Sequence, residues 1–300
     1  MTAPADALER TITRQRRGQQ LGSRIKESLF HLTLLFSLVI GIVTLGALLV
    51  QVLVEGWPRL NLDLLRHFPS SRPLRAGAQS AIFGTIWLMA IVTVTAIPVG
   101  FGAAIYLEEY ADPKRWYNRL IELNLQNLAA VPSIVYGILG LGILARTLGL
   151  GRTLLTGGLT LTLLVLPIVI ISGREAIRAV PNSIRQGSLA LGATKWQTIW
   201  RQVLPAALPG MATGTILALS RAIGETAPLI LLGGLTFITF NPDGLRSQFS
   251  ALPIQIFNWI SRPQAEFKVL AAAAIVVLLA VLLAMNAVAI WLRNRYQRRW

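Results

Sequence analysis

The chain has 300 residues, of which 54% are hydrophobic and 14% charged, and its formal net charge is +15. This balance favours a polytopic membrane protein over a soluble domain. The absence of Cys excludes disulfides and thiol catalysis, and the two His leave a His-based metal site almost without ligands. The basic residues form no basic-aromatic face, so we expect no nucleic-acid partner.

The chain begins with a basic tail and a long apolar run. Residues 1–27 contain six Lys or Arg and are predicted to be a cytoplasmic tail. Residues 29–54 are predicted to be the first membrane span, too long for a signal-peptide core and without a small-residue cleavage site. A polar connector up to Arg75 follows, in which residues 60–68 are suited to the membrane interface.

The middle of the chain predicts three more spans, and the first two contain Pro98 and Pro132. Such prolines in a membrane span are interpreted as structural kinks. A charged loop containing Glu108 and Glu109 separates the first two of these spans. The three spans are predicted at 78–107, 123–145 and 153–172.

A basic segment, residues 173–209, interrupts the apolar pattern. Charged side chains recur every few residues, so the segment must lie in water. Asn182 suits a helix start, and Gly192 suits a helix end. Thr194 and Gln197 have capping-box spacing, which predicts a second helix that Pro205 is expected to end.

The second helix of this segment carries one apolar stripe. Trp196, Ile199, Trp200 and Val203 follow each other at helical spacing. Two Trp in one stripe suit a protein interface. The alternative is that the stripe packs on the chain's own helices or lies at the lipid headgroups, where Trp is common.

Two further spans complete a predicted all-α fold with six transmembrane helices. They cover 209–235 and 269–292, and between them the apolar run 252–260 is too short to cross a bilayer and predicts an interfacial or re-entrant helix. Residues 293–300 form a basic tail. Of the 28 Lys and Arg residues, 18 lie on the side of the two tails and 9 on the other, which predicts that both termini are cytoplasmic.

Arg221 and Glu225 are the charged residues within the predicted spans. A charge at the bilayer centre costs about 2.5 to 3.5 kcal/mol on insertion scales, so their presence needs a reason. They lie four residues apart on one helix face, where they form either a pathway site or a mutually neutralising pair. Thr226 adds a hydroxyl nearby, although Ser220 and Thr226 are expected to bond their own backbone.

The span with these charges also predicts a close helix contact and a break. Small residues recur at every fourth position, which brings two membrane helices together. Pro228 cannot donate a backbone hydrogen bond and is expected to break the helix just after Glu225. The small residues are Gly210, Gly214, Ala218 and Ala222.

The basic segment resembles the signature loop of ABC importer permeases, which reads E-A-A, three residues, G, nine residues, I-x-L-P. The spacing from Gln186 through Gly192 to Leu204 and Pro205 matches fully. The departures are Gln186 for Glu, Gly187 and Ser188 for two Ala, and Gln202 for Ile. A closer resemblance is to the A-type permeases of bacterial phosphate-specific importers. It lies at 131–137, 189–194, 204–207, 221–228 and 252–259.

The resemblance implies a type I ABC-importer permease-like fold and inorganic phosphate import across the bacterial inner membrane. The chain would form half of the pathway, with Arg221, Glu225 and Thr226 along it. The implied partners are a second homologous permease in a heterodimer, a dimer of ATP-binding ABC subunits and a periplasmic phosphate-binding protein. The segment from Gly187 to Val203 would dock on the ATPase through Gly187, Leu191, Gly192, Ala193, Thr194, Trp196, Ile199, Trp200 and Val203.

The sequence contains no Gly-x-x-x-x-Gly-Lys-Ser/Thr motif, so ATP is expected to be hydrolysed by a partner. We therefore expect no catalytic residue, metal site or cofactor in this chain. The alternatives are a permease for another oxyanion such as sulfate, a secondary transporter, and a non-ABC membrane scaffold or intramembrane enzyme. A secondary transporter usually shows paired broken helices in its two halves.

Overall fold

The structure, a computed structural model, describes residues 3–112, 114–234 and 237–296. In these ranges all regular structure is helical, which confirms the all-α prediction. The end of the predicted C-terminal tail, including Arg298 and Arg299, lies outside the described residues. The α-helices are α1 (Ala3–Gly56), α2 (Leu62–Arg66), α3 (Gln79–Ile105), α4 (Trp116–Ala130), α5 (Ser133–Leu139), α6 (Leu154–Arg178), α7 (Asn182–Ala190), α8 (Lys195–Thr198), α9 (Leu204–Gly224), α10 (Ala227–Leu231), α11 (Leu252–Ile260) and α12 (Ala265–Tyr296).

The described residues contain five helices that are long and apolar enough to cross a membrane. A sixth crossing exists when one bent helix pair is taken as a span. These six segments match the six predicted spans in order. The five continuous helices are Lys26–Arg59, Gln79–Tyr110, Leu154–Arg178, Lys195–Gly224 and Ala265–Arg295.

The bent pair replaces the predicted third span at 123–145. The helical segments Trp116–Ala130 and Ser133–Thr147 meet at an angle of 107°, a sharper break than the predicted kink. Val131 is extended, because the ring of Pro132 disfavours a helical residue before it. The Tyr136 hydroxyl donates to the Leu128 carbonyl at 2.8 Å and joins the two sides of the break.

The helix α1 runs without interruption from the predicted tail into the predicted first span. Residues up to Val54 form a unit of their own, and 55–300 form a second unit. Within the first unit, the apolar side chains from Leu29 to Val54 are exposed except for the half-buried Val52, as expected for a helix whose surroundings in the membrane are lipid or another protein.

The core of the second unit is formed by α3, α6 and α9, which approach each other closely at small residues. A Cβ added at Gly158 of α6 would lie 2.5 Å from Ile91 Cγ2 of α3, and one at Gly214 of α9 would lie 2.0 Å from Ser172 Oγ of α6. Ala218 and Ala222 of α9 are buried. The predicted small-residue ladder is therefore confirmed as a helix contact, and its partner is α6 of the same chain.

The short apolar segment 252–260 is the helix α11, as predicted. Its first backbone N–H, at Leu252, donates to Thr85 Oγ1 of α3 at 2.9 Å, and Trp259 is fully buried. This helix therefore fills one end of the bundle. We call the opposite end, where α6 finishes and α7 and α8 follow, the loop end.

Candidate functional site

The helix α9 ends at the charged pair. Its last residue is Gly224, Glu225 is extended with φ −72° and ψ 123°, and α10 starts with Pro228 in its first turn. The break predicted from Pro228 is thus confirmed and lies at Glu225 and Thr226. The Thr226 hydroxyl donates to the Gly224 carbonyl at 3.3 Å, which satisfies an acceptor that the break leaves without a helical N–H.

Arg221 and Glu225 form an ion pair across this helix end. Arg221 Nε lies 3.2 Å from Glu225 Oε1, with the side chains 44% and 16% exposed. Among the described residues, Glu225 is the sole hydrogen-bond partner of Arg221. The guanidinium therefore keeps N–H donors available for a further acceptor.

The pair belongs to an exposed face of α9. Thr213, Leu217 and Arg221 follow each other on this face, which is exposed. On the neighbouring face, the ladder is buried from Gly214 to Ala222. Arg293 of α12 donates from Nη1 to Thr213 Oγ1 at 3.1 Å, so a second guanidinium lies on this face toward the loop end. In a bilayer, such a face requires another protein or water beside it.

The second broken helix lies next to the first. A Cβ added at Gly137 of α5 would lie 2.7 Å from the Cα of Pro228 in α10, so the two backbones are in contact. Both helices start directly after a break, at Pro132 and at Thr226. The structure thus brings the segment 131–137 to the segment 221–228, although 84 positions of sequence separate Gly137 from Arg221.

One neighbour of the site was not predicted. We expected Ser220 to bond its own backbone, and this was wrong. Its hydroxyl donates instead to Asn286 Oδ1 of α12 at 3.0 Å. The reason is that α12 brings a side-chain acceptor within reach of the Ser220 hydroxyl. A lone Asn in an otherwise apolar span was the signal that could have indicated this contact.

The second helix of the basic loop has the predicted capping box. Thr194 Oγ1 accepts from Gln197 N at 3.2 Å, and Gln197 Oε1 accepts from Thr194 N at 2.9 Å. The helix does not end at Pro205, however, and the chain stays helical from Lys195 to Gly224. A π-helical turn, Ile199–Val203, precedes Pro205, which then falls in the first turn of α9, where a missing N–H is tolerated.

The predicted apolar stripe is divided between two environments. Ile199 and Val203 are buried within the chain, whereas Trp196 and Trp200 are 58% and 48% exposed. The two indole rings lie 5.2 Å apart. Packing on the chain's own helices is therefore confirmed for Ile199 and Val203, whereas an interface role of Trp196 and Trp200 stays a prediction.

The other predicted coupling residues lie at the surface of the loop. Gly187, Leu191, Gly192 and Thr194 are exposed, and Ala193 is half-buried. Gly192 ends the α7 segment with φ +84°, a conformation that favours glycine. Between α7 and the following helix lies a groove of about 410 Å³ lined partly by Gly187, Leu191 and Ala193. We call the Trp pair and this groove together the coupling surface, after the role predicted for these residues.

The helix order of the described residues, the exposed α9 face and the capped helices of the loop end fit an ABC importer permease fold. Residues 96–300 match the family described as binding-protein-dependent transport system inner membrane component. The chain belongs to this family and is a multi-pass transport subunit of the membrane.

Relatives and solved structures agree with this assignment. The phosphate transport system permease protein PstA 1 of Mycobacterium tuberculosis is 32% identical over 285 residues, 93% of this chain and 92% of the relative. PstA of Yersinia pestis is 31% identical over 93% of this chain and 94% of its own length. A bacterial alginate ABC transporter has a TM-score of 0.66 at 15% identity and covers 91% of this chain and 96% of its own. The MetNI methionine ABC transporter has a TM-score of 0.58 at 16% identity and covers 73% of this chain and 95% of its own.

Proposed function

We propose that the chain is the permease subunit of an ATP-driven inorganic phosphate importer and forms half of its translocation pathway. The observation that carries the proposal is the Arg221–Glu225 pair at a helix break on an exposed face of α9. Relatives named as phosphate transport permeases, similar over nearly their whole length, support the choice of substrate.

The chemistry of the pair suits phosphate. The planar guanidinium of Arg221 matches two oxygens of a tetrahedral anion and stays charged in an apolar setting. Glu225 lies beside it and holds a hydrogen-bond acceptor. Phosphate near neutral pH carries a P–OH that can donate to this carboxylate, whereas sulfate has no such proton, so the pair would attract phosphate and reject sulfate. The alternative role of Glu225 is to position Arg221 rather than to select the anion.

A translocation pathway at this face requires a second protein surface opposite α9 and a source of energy. The α9 face is half of an arrangement that a second, homologous permease would complete in a heterodimer. ATP would be hydrolysed by a dimer of ABC subunits bound at the coupling surface, and a periplasmic phosphate-binding protein would deliver the anion. The 18 to 9 distribution of Lys and Arg supports a cytoplasmic loop end and cytoplasmic termini.

Uptake of radiolabelled phosphate and sulfate by the assembled complex in membrane vesicles tests this proposal. Arg221→Lys and Arg221→Ala are expected to lose phosphate uptake, because an ammonium does not reproduce the planar fork. If the Glu225 carboxylate selects the anion, Glu225→Gln is expected to lose phosphate uptake or to admit sulfate. If it only positions Arg221, the variant is expected to lose phosphate uptake without admitting sulfate. Normal phosphate uptake by both Arg221→Ala and Glu225→Gln would show that the pair is structural.

The same assay addresses the alternative of another oxyanion. A complex that carries sulfate in preference to phosphate before any substitution would assign it to that class. Vesicles loaded with a non-hydrolysable ATP analogue provide the control for ATP dependence. Uptake that persists there would favour a secondary transporter.

A further inference from the structure

A second group of charged side chains lies at the loop end, away from the site on α9. There α3 continues into a π-helical turn, Tyr106–Tyr110, closed by a hydrogen bond from Ala111 N to Tyr106 O at 2.8 Å. Glu108 and Glu109, neighbours in this turn, contact different elements of the chain. We call this segment the π turn.

Glu109 forms an enclosed ion pair with a residue of α7. Arg185 of α7 donates from Nε and Nη2 to Glu109 Oε1 at 3.0 and 2.9 Å. The two side chains are 17% and 10% exposed. Arg185 also donates to the carbonyls of Ile177 and Val180, at 2.8 and 2.5 Å, at the end of α6. One guanidinium thus joins α7 to both α3 and α6.

Further contacts bring α6 and α8 to the same turn. Glu108 accepts from Arg178 Nε at 3.0 Å and from Arg174 Nε at 3.4 Å, both at the end of α6. Lys195 Nζ, at the start of α8, lies 4.9 Å from the centroid of the Tyr110 ring. The π turn is therefore a common attachment point for α6, α7 and α8.

The covalent chain alone would not give this attachment. The helix α8 runs directly into α9 through Ile199–Val203, so a force on the loop would act on α9 first. A buried apolar cluster that includes Ala104, Ile177 and Val203 also joins α3, α6 and the start of α9, and the link to Glu109 adds a charged contact from α7. With the link to the π turn, the loop, α3, α6 and α9 are held together.

We propose that Glu109 and Arg185 are a positioning pair that makes the α7–α8 loop move as one body with α3, α6 and α9. The proposal rests on the proposed function, in which a partner ATPase acts on this loop. Its consequence is that ATP-driven motion displaces the exposed α9 face relative to the second permease and not relative to the chain's own bundle.

The test measures phosphate transported per ATP hydrolysed by the full complex in vesicles, together with the amount of assembled complex. Glu109→Gln keeps the shape of the side chain and removes its charge. We expect this ratio to fall about fivefold or more, with ATP hydrolysis retained. The double variant Glu109→Gln with Arg185→Gln is expected to be no worse than the poorer single variant, because each single change already removes the Glu109–Arg185 ion pair.

Glu175→Gln is the matched control. It removes an ion pair of the same chemical type, with Arg178 at 3.4 Å, but one that is exposed and lies within α6. Exposed pairs of this kind contribute little, so the control is expected to keep the ratio of the unsubstituted complex. A normal ratio in fully assembled Glu109→Gln would overturn the proposal.

A covalent link distinguishes positioning from mere support of folding. The chain has no Cys, so Cys at 109 and 185 can be joined with a short thiol crosslinker. The ratio is expected to be low before linking and to recover after it, and no recovery would contradict movement as one body. Failure of the proposed function would show differently, as absence of phosphate uptake by the unsubstituted complex.

Discussion

Ser220 of α9 and Asn286 of α12 are joined by a hydrogen bond of 3.0 Å, one residue before Arg221. The bond links α9 to α12 at the height of the charged pair. Because both groups lie within apolar spans, neither finds water as an easy substitute. The orientation of Arg221 therefore depends on a helix that is not adjacent to it in sequence.

The first prediction concerns this bond. Ser220→Ala and Asn286→Leu are each expected to destabilise the folded chain by about 0.6 to 2 kcal/mol, the range measured for hydrogen bonds between membrane helices. A double-mutant cycle of unfolding in detergent micelles isolates the pair. Thr93→Ala is the control, since its hydroxyl donates to the Met89 carbonyl of its own helix. Strictly additive effects of the two changes would argue against coupling between these side chains.

The second prediction concerns the contact between α9 and α6. Gly214→Ala would place a Cβ on Ser172 and is expected to cost about 1 to 3 kcal/mol by overpacking. Gly224→Ala, on the same helix, meets no atom within 4 Å and is expected to be tolerated. Thermal denaturation of the two purified variants compares them directly. Equal stability of both would mean that α6 and α9 are not closely packed.

The third prediction concerns the coupling surface. Trp200→Ala should leave membrane insertion intact and uncouple ATP hydrolysis from transport, because the side chain is half exposed and carries large apolar area. Ile199→Ala instead removes a buried side chain and is expected to lower stability by about 2 to 5 kcal/mol. Normal transport by Trp196→Ala, Trp200→Ala and the double variant would remove the Trp pair from the mechanism.

The fourth prediction concerns orientation. A single Cys at Asp243 is expected to react with a membrane-impermeant thiol reagent in intact cells, and one at Lys195 is not. The reason is the excess of Lys and Arg on the side of the loop. The absence of native Cys keeps the background low. Labelling at Lys195 without labelling at Asp243 would reverse the topology.

Local patterns predicted much of this structure. The capping box at Thr194, the short helix at 252–260 and the break near Pro228 depend on a few neighbouring residues, and each occurs where its pattern lies. Hydropathy located the spans because an apolar run long enough to cross the bilayer rarely occurs outside a membrane helix. The charged pair stood out for the converse reason, since a charge within a span is costly.

The remaining features depend on contacts that local patterns do not contain. Glu109 and Arg185 are 76 positions apart, and a loop carboxylate gives no sign of the guanidinium it will meet. Pro205 misled the prediction of a helix end because the π-helical turn before it accommodates the missing N–H. The division of the Trp stripe likewise depends on which neighbours reach Ile199 and Val203.

The exposed position of Arg221 has a consequence for how the chain is made. In a bilayer without a partner, this face would lie against acyl chains at a cost of about 2.5 to 3.5 kcal/mol for the guanidinium, and Glu225 offsets only a part of it. An orphan subunit is therefore less stable than an assembled one. If the proposed second permease covers this face, its synthesis in a balanced amount is expected to protect this chain from membrane proteases, which makes the half-life of the chain in cells a measure of assembly.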